Sequence, residues 1–243
     1  SPRRWQVTGS AGVQPGWRDT HLKLEGPAVA AFQRLFVAAW TAQGGTVSEA
    51  RGLFPAHERV GTARVCAIAS HPSDPHSPIH GALEAAIRAA RRRVWITNAY
   101  FVPDARLRAA LCAAAARGAD VRLILPSETD SAVVLAAGRA HYTALLRAGV
   151  RIHERQGAVV HCKTAVVDGL WSTVGSSNLD WRSLRDNAEL NAVVLDRDFA
   201  SQMEALYRED LRCATEITLA AWRHRPWHRR CGQAAARLVE RWL

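Results

Sequence analysis

His161 and Lys163 stand two residues apart, Asp168 follows five further on, and Gly175, Ser176 and Asn178 close the same stretch, "HCKTAVVDGLWSTVGSSN". In an extended strand side chains alternate, so His161 and Lys163 are expected on one face, with Cys162 and Thr164 on the other. An imidazole and an ammonium converging on one point suit an anion. Neutral imidazole is a competent nucleophile near neutral pH, Lys163 supplies a fixed positive charge for non-bridging phosphate oxygens, and Ser176 and Asn178 add uncharged donors. The set fits in-line displacement at phosphorus. Glycine at 175 permits a tight turn and close backbone approach to a ligand. Asp168 is of a type that holds a loop through local hydrogen bonds. Glu189, opening the next strand, is expected to accept a hydrogen bond from the other imidazole nitrogen and so orient His161.

These residues need a scaffold, and short apolar runs rich in Val and Ile supply one. Residues 64–70, 94–100, 121–126 and 150–154 read as buried strands, with helical periodicity between them at 78–92, 105–117 and 131–148. Gly118 and Gly149 close two of these helices, as a helix C-terminus prefers. Three more strands follow at 159–168, 171–175 and 187–195, then a long helix at 199–223. The alternation predicts an α/β fold, a mostly parallel mixed sheet flanked by helices. Gly44, Gly45, Gly52 and Pro55 mark 43–60 as a linker.

The chain has 243 residues, 48% of them apolar, and a formal charge of +10 carried almost entirely by Arg. It is long enough to bury a core, and its charge points to an anionic partner, nucleic acid or phospholipid surface alike. Five scattered cysteines without CxxC or zinc-ligand spacing read as reduced thiols of a cytosolic protein. No apolar run approaches the roughly 20 residues that span a bilayer.

Shifted by 170 residues, 17–40 falls on 187–210, with Asp19 on Glu189 and Phe36 on Leu206. Both stretches read as a strand with an acid near its start, a turn and an amphipathic helix, the mark of an internal repeat.

The pattern H-x-K-x4-D-x6-G-S-x-N resembles the signature of the phospholipase D superfamily. The segments "NAYFVPD", "RGADVRLILP", "LLRAGVRIHE", "TVGSSNLDWRSLRDNAELN" and "WRDTHLKLEGPAV" are similar to bacterial cardiolipin synthases, especially those without N-terminal transmembrane helices. That resemblance implies two pseudo-symmetric halves, each with such a motif, meeting at one site. One histidine attacks a phosphodiester to form a phosphohistidine; the other protonates the leaving alcohol and then activates the acceptor. It implies a phosphatidyltransferase with phosphatidylglycerol as substrate, at the cytoplasmic membrane surface and peripheral to it, with no metal or other cofactor. The catalytic set would be His161, Lys163, Asp168 and Glu189, with Lys163, Ser176 and Asn178 binding phosphate.

The sequence departs from the family in carrying one complete motif. His21 and Lys23 repeat the His-x-Lys spacing, but Ala28 stands where the acid is required and no Gly-Ser-x-Asn follows. The expectation is therefore that 1–60 is the tail of a first half plus linker, that 61–243 is the complete second half, and that a missing first half or a second copy completes the site. A nuclease or other phosphodiesterase of the superfamily is the alternative activity, although nucleic acid is not the expected partner. A non-catalytic module binding anionic lipid is the alternative of another class.

Tyr100, Phe101 and Asp104 follow a strand end, where α/β folds place ligands, and packing explains the aromatics equally well. Asp130 and Asp186 read as solvated loop acids, Arg91 to Arg93 as cations closing a helix, and His71, His76 and His80 as a surface loop. The C-terminal segment, with Trp222, Trp227, Trp242, Arg223, Arg225, Arg229 and Arg230, suits an anionic headgroup layer, or equally a basic helix packed on the domain.

Overall fold

The computed structural model describes residues 16–47, 52–56, 58–72, 74, 76–238 and 240. A short tail comes first: β1 (Gly16–Arg18) and α1 (Val29–Ala42). The body then alternates as the periodicity requires, through β2 (Arg64–Ser70), α2 (Pro78–Ala89), β3 (Arg93–Asn98), α3 (Ala105–Ala116), β4 (Asp120–Pro126), α4 (Ala132–Ala140), α5 (Tyr142–Arg147) and β5 (Arg151–Arg155). Next come β6 (Ala158–Val160), β7 (Lys163–Val167), β8 (Trp171–Gly175), α6 (Trp181–Arg185), β9 (Glu189–Leu195) and α7 (Arg197–Arg212). The chain closes with β10 (Ala214–Ile217), α8 (Leu219–Arg223) and α9 (Trp227–Leu238). Side chains of Ser77, Asp104, Ser131, Asp180, Asp196 and Thr218 accept hydrogen bonds from the first turns of α2, α3, α4, α6, α7 and α8, which fixes where those helices begin. Gly118 and Gly149 adopt φ of 90° and 92° just past α3 and α5, where a side chain would be strained.

Eight strands form one sheet in the order β10-β5-β4-β3-β7-β8-β9-β2. Only β3 with β4 and β4 with β5 run parallel; the other five neighbouring pairs are antiparallel. The sheet is mixed, as expected, but not mostly parallel. Parallel neighbours need a crossover helix, which α3 and the α4–α5 pair provide, whereas the three-residue link between β7 and β8 permits only antiparallel pairing. The main core lies between the sheet and α2, α3 and α5, with Ile87, Leu111, Tyr142 and Leu145 against Ile96, Leu123 and Ile152. Helix α7 covers the other face through Ala200, Met203 and Tyr207.

Three expected elements divide. The helix over 131–148 breaks at His141, whose buried ring lies between Arg108 at Nδ1, 3.0 Å away, and Glu240 at Nε2, 2.8 Å away. The helix over 199–223 stops at Arg212, because residues 214–217, with β-branched Thr215 and Ile217, pair with β5 as the edge strand β10. The strand over 159–168 separates into β6, which among the described residues pairs with β1 alone, and β7, which lies between β3 and β8.

Candidate active site

The break between β6 and β7 falls at His161. Its backbone N–H donates to the carbonyl of Arg18, 2.8 Å away, so the ring is set by the tail strand as much as by its own neighbours. Its Nδ1 lies 2.8 Å from Oδ2 of Asp19, and the edge of Trp17 meets the imidazole with centroids 5.4 Å apart. Nε2 has no protein partner among the described residues, and the side chain is 45% exposed. With Nδ1–H held by a carboxylate, the lone pair remains on Nε2, the tautomer a nucleophile or base requires.

Glu189 does not reach His161. Its buried carboxylate accepts from the hydroxyls of Ser176 and Ser183 and from the Asn187 amide, and so organises the loop between β8 and β9. The orienting role expected of Glu189 falls in space to Asp19, the residue aligned with it by the 170-residue shift.

Lys163 opens β7 opposite Asn98 of β3, so the site lies at the C-terminal end of the parallel strands. Its ammonium donates to the carbonyl of His161, 2.6 Å away. Burial pushes this ammonium below its ordinary value, while Asp19, Cys162, Glu189 and Asp180 pull it back up. Gly175 is required for a reason other than a turn: a Cβ there would collide with the Asn191 carboxamide and the Leu190 carbonyl. Ser176 is tied to Glu189 and accepts from the N–H of Leu190 at 3.0 Å. Asn178 donates its backbone N–H to Ser183, and its carboxamide oxygen is buried without a partner, so the loop's own network leaves that oxygen uncommitted.

An open groove of about 660 Å³ gathers the set: Asp19, His161, Lys163, Ser176 and Asn178 line it, with Leu22, Leu24 and Phe32 of the tail as an apolar wall. His21 also lines it, while Lys23 pairs at the surface with Glu25, 2.8 Å away.

Asp168 stands apart, at the far end of β7 and roughly 20 Å along an extended strand from His161. It accepts from the backbone N–H groups of Arg91, Arg92 and Arg93 at 2.9, 2.8 and 2.9 Å and is the one described non-glycine residue with positive φ, 53°. Burial would raise its carboxyl, but those N–H groups prevail and hold it low. It therefore locks the β7–β8 turn onto the start of β3, and Arg91 to Arg93 serve that lock through their backbone.

The segment after β3 supports the loop that carries Asn178. Phe101 is buried and bridges Leu179, whose N–H also meets the Asn98 carboxamide at 3.1 Å. Asp104 caps α3, and the Tyr100 hydroxyl donates to Asp130, a partnership that, after burial, pushes the phenol up to about 12. His80, expected in a surface loop, sits in the first turn of α2 with Nε2 donating to the carbonyl of Asn178, 3.0 Å away. Burial is the chief reason that this imidazole is pushed below its ordinary value. Nothing in the proline-rich stretch around His80 signals this contact, which spans 98 positions. Asp19 did have a signal, the repeat.

The C-terminal aromatics part company. Trp222 is buried against Tyr142, ring centroids 5.0 Å apart, with Arg225 stacked on it at 4.3 Å, whereas Trp227 is 75% exposed. Trp222 and Arg225 thus belong to the packed domain. Trp242 and the side chains of Arg229 and Arg230 lie outside the described residues.

Residues 83–211 match the family model described as "Cardiolipin synthase, PLD-like domain". The chain is 38% identical over 224 residues to cardiolipin synthase A of Pseudomonas putida strain GB-1, covering 92% of this chain and 46% of that protein. Against cardiolipin synthase A of Pseudomonas aeruginosa strain LESB58 it is 39% identical over 223 residues, covering 92% and 45%. The chain thus spans about half the length of the curated relatives it matches. Among solved structures, the phosphatidylserine synthase of Haemophilus influenzae Rd KW20 superposes with a TM-score of 0.59 at 14% identity, over 86% of this chain and 53% of that one. The phospholipase D family member Nuc of Salmonella typhimurium gives 0.54 at 19%, over 65% and 99%. At these identities the two structures share the fold.

Proposed function

This chain belongs to the PLD-like domain family of the cardiolipin synthases, and on that premise we propose that it is one half of a phosphatidyltransferase that moves a phosphatidyl group onto phosphatidylglycerol. One observation carries the reading: the His161 ring is fixed on Nδ1 by Asp19, and His161, Lys163 and Asn178 line one groove. In the first step a histidine Nε2 attacks phosphorus, its N–P bond forming as the P–O bond to the leaving alcohol breaks. That oxygen takes its proton from a second imidazole. In the second step the acceptor hydroxyl gives its proton back to that imidazole and attacks phosphorus, releasing the histidine. His161 is one of the pair, and Lys163 offsets charge on the non-bridging oxygens in both steps.

The second histidine belongs to another half, either the rest of a longer polypeptide or a second copy. Residues up to about 60 are the tail of the first half, and 61–243 the second. By the repeat, Glu189 stands to the missing histidine as Asp19 stands to His161. Among the described residues no helix is long and apolar enough to cross a membrane. We propose peripheral attachment at the cytoplasmic face, where the net charge of +10 draws the chain to anionic headgroups.

The test compares labelled phosphatidylglycerol vesicles incubated with this chain, with a chain extended upstream to full length, and with His161→Ala in each. Cardiolipin and glycerol released by the extended chain and lost in its His161→Ala variant are expected. Product from the 243-residue chain as well would mean assembly from two copies. Turnover of DNA but not lipid would overturn the lipid reading in favour of a nuclease, and binding to vesicles without any turnover would leave a lipid-binding module.

A further inference from the structure

We propose that Asp210, outside the groove, is a positioning residue for His161, acting through Arg18 and Asp19. This rests on the reading of His161 as a reacting imidazole. Asp210 is buried in the last turn of α7 and grips Arg18 with both oxygens, Oδ1 to Nε at 2.7 Å and Oδ2 to a terminal nitrogen at 2.8 Å. The other terminal nitrogen of Arg18 turns back onto its own segment, donating to the Asp19 carbonyl and to the Thr20 hydroxyl. The Arg18 carbonyl accepts from the His161 N–H at 2.8 Å and from the Cys162 thiol at 3.1 Å. Arg18 thus joins the helix on the far face of the sheet, the segment bearing the orienting carboxylate and the backbone of the histidine.

Besides Leu22, partly buried against the core, and the edge contact of Trp17 with His161, the segment has few anchors among the described residues. β1 pairs with β6 over three residues in a two-stranded ribbon, an arrangement marginal on its own, and α1 buries no residue that could anchor it. The Asp19–His161 contact is short and directional, so a displacement of about 1 Å separates carboxylate and imidazole. A planar guanidinium held at two points by a carboxylate fixes position as well as charge. Asp210 also lies 3.3 Å from Arg155 at the end of β5, so the packing of α7 on the sheet keeps an ion pair when Arg18 is lost.

The measurement is 15N NMR of the histidine rings in the 243-residue chain at about pH 8, where an ordinary imidazole is neutral. Wild type should show His161 as a single Nδ1–H tautomer with a hydrogen-bonded proton resonance, lost in Asp19→Asn. Asp210→Asn should convert it to a mixture of tautomers and Asp210→Glu, which keeps the carboxylate, should largely restore it, a rescue that helix packing alone does not require. Arg18→Gln keeps the Asp210–Arg155 pair, so it decides the matter if Asp210→Asn unfolds. In the Asp19→Asn background, Asp210→Asn should change nothing further. Retention of the wild-type tautomer in a folded Asp210→Asn or Arg18→Gln protein overturns the proposal. If Asp19→Asn itself leaves the tautomer unaltered, the orientation of His161 by Asp19 is wrong, a separate failure.

Discussion

Helix α7 buries Ala200, Met203, Glu204, Tyr207 and Asp210, whereas α1, aligned with it by the 170-residue shift, buries none of its 14 residues. Phe36 and Trp40 of α1 stack on one another with centroids 6.4 Å apart and are 61% and 50% exposed. The same amphipathic stripe is thus a core face in one place and only a partly covered one in the other, because α7 lies across several strands of the sheet while α1 lies against the edge strand β2. The acids at the starts of the two stretches diverge likewise: Glu189 is enclosed by the hydroxyls of its own loop, while Asp19 reaches across to the histidine of the body. The tail therefore brings a carboxylate to the histidine while adding, among the described residues, only Leu22, partly buried against Val166, Val174, Ala200 and Met203, to the packed interior.

The sharpest way to break that contrast is through the two acids. Asp19→Asn should lower turnover in a full-length protein about 1000-fold, since an amide oriented to donate favours the wrong imidazole tautomer, with little change in melting temperature because Asp19 is half-exposed. Glu189→Gln should instead lower both, because three donors close on a buried carboxylate and an amide cannot accept from all of them; a stability loss of about 1–3 kcal/mol is expected from denaturant titration. Equal thermal behaviour of the two variants would erase the distinction drawn between tail and body.

The helices provide the next test. Met203→Ala empties a site closed by Val166, Val174 and Ala200 and should cost about 2–4 kcal/mol. Phe36→Ala in this chain should stay within about 0.5 kcal/mol, as exposed substitutions do. Repeated in a chain that includes the first half, Phe36→Ala should approach the cost of the Met203 variant. A cost that remains negligible there would mean that α1 is not a core helix of that half.

How much of this could be read in the sequence follows from the range of the interactions involved. β2 and β8 have the bounds expected, and β3, β4 and β5 shift by a residue or two, because each is a local apolar run between a glycine or polar turn and a helix. The break at His161 was not legible, since it arises where β6 leaves the main sheet to pair with a strand 142 positions away. Residue type and spacing singled out the motif side chains that line the groove, but spacing alone cannot say which carboxylate meets which imidazole. That is why Glu189 was expected where Asp19 stands, although the repeat contained the exchange. Asp168 belongs to the motif by spacing and to the turn by geometry, its carboxylate accepting from the backbone N–H groups of Arg91 to Arg93.

The last test concerns Asp180, the neighbour of Glu189 in the body, and it is one of pH. Asp180 is buried at the start of α6, where it accepts from the Ser183 N–H at 2.8 Å, and burial, with the charge of Glu189 adding to it, pushes its carboxyl up to about 6. A folded-state value above that of the unfolded chain means that the protonated form is favoured by folding. Its stabilisation is therefore complete below about pH 4 and is lost as the pH rises through about 6. Asparagine caps a helix as well as aspartate does and carries no charge. Asp180→Asn should therefore match wild type near pH 4 and exceed it by up to about 3 kcal/mol at pH 7.5, the gain opening between those values in a series of chemical denaturations. Asp168, held low by its three N–H groups, should give the opposite slope, its contribution to stability falling away as the solution is acidified. A Asp180→Asn gain independent of pH would show that the carboxylate is not strained by its burial, and that the loop around Glu189 accommodates two charges as readily as the open tail accommodates one.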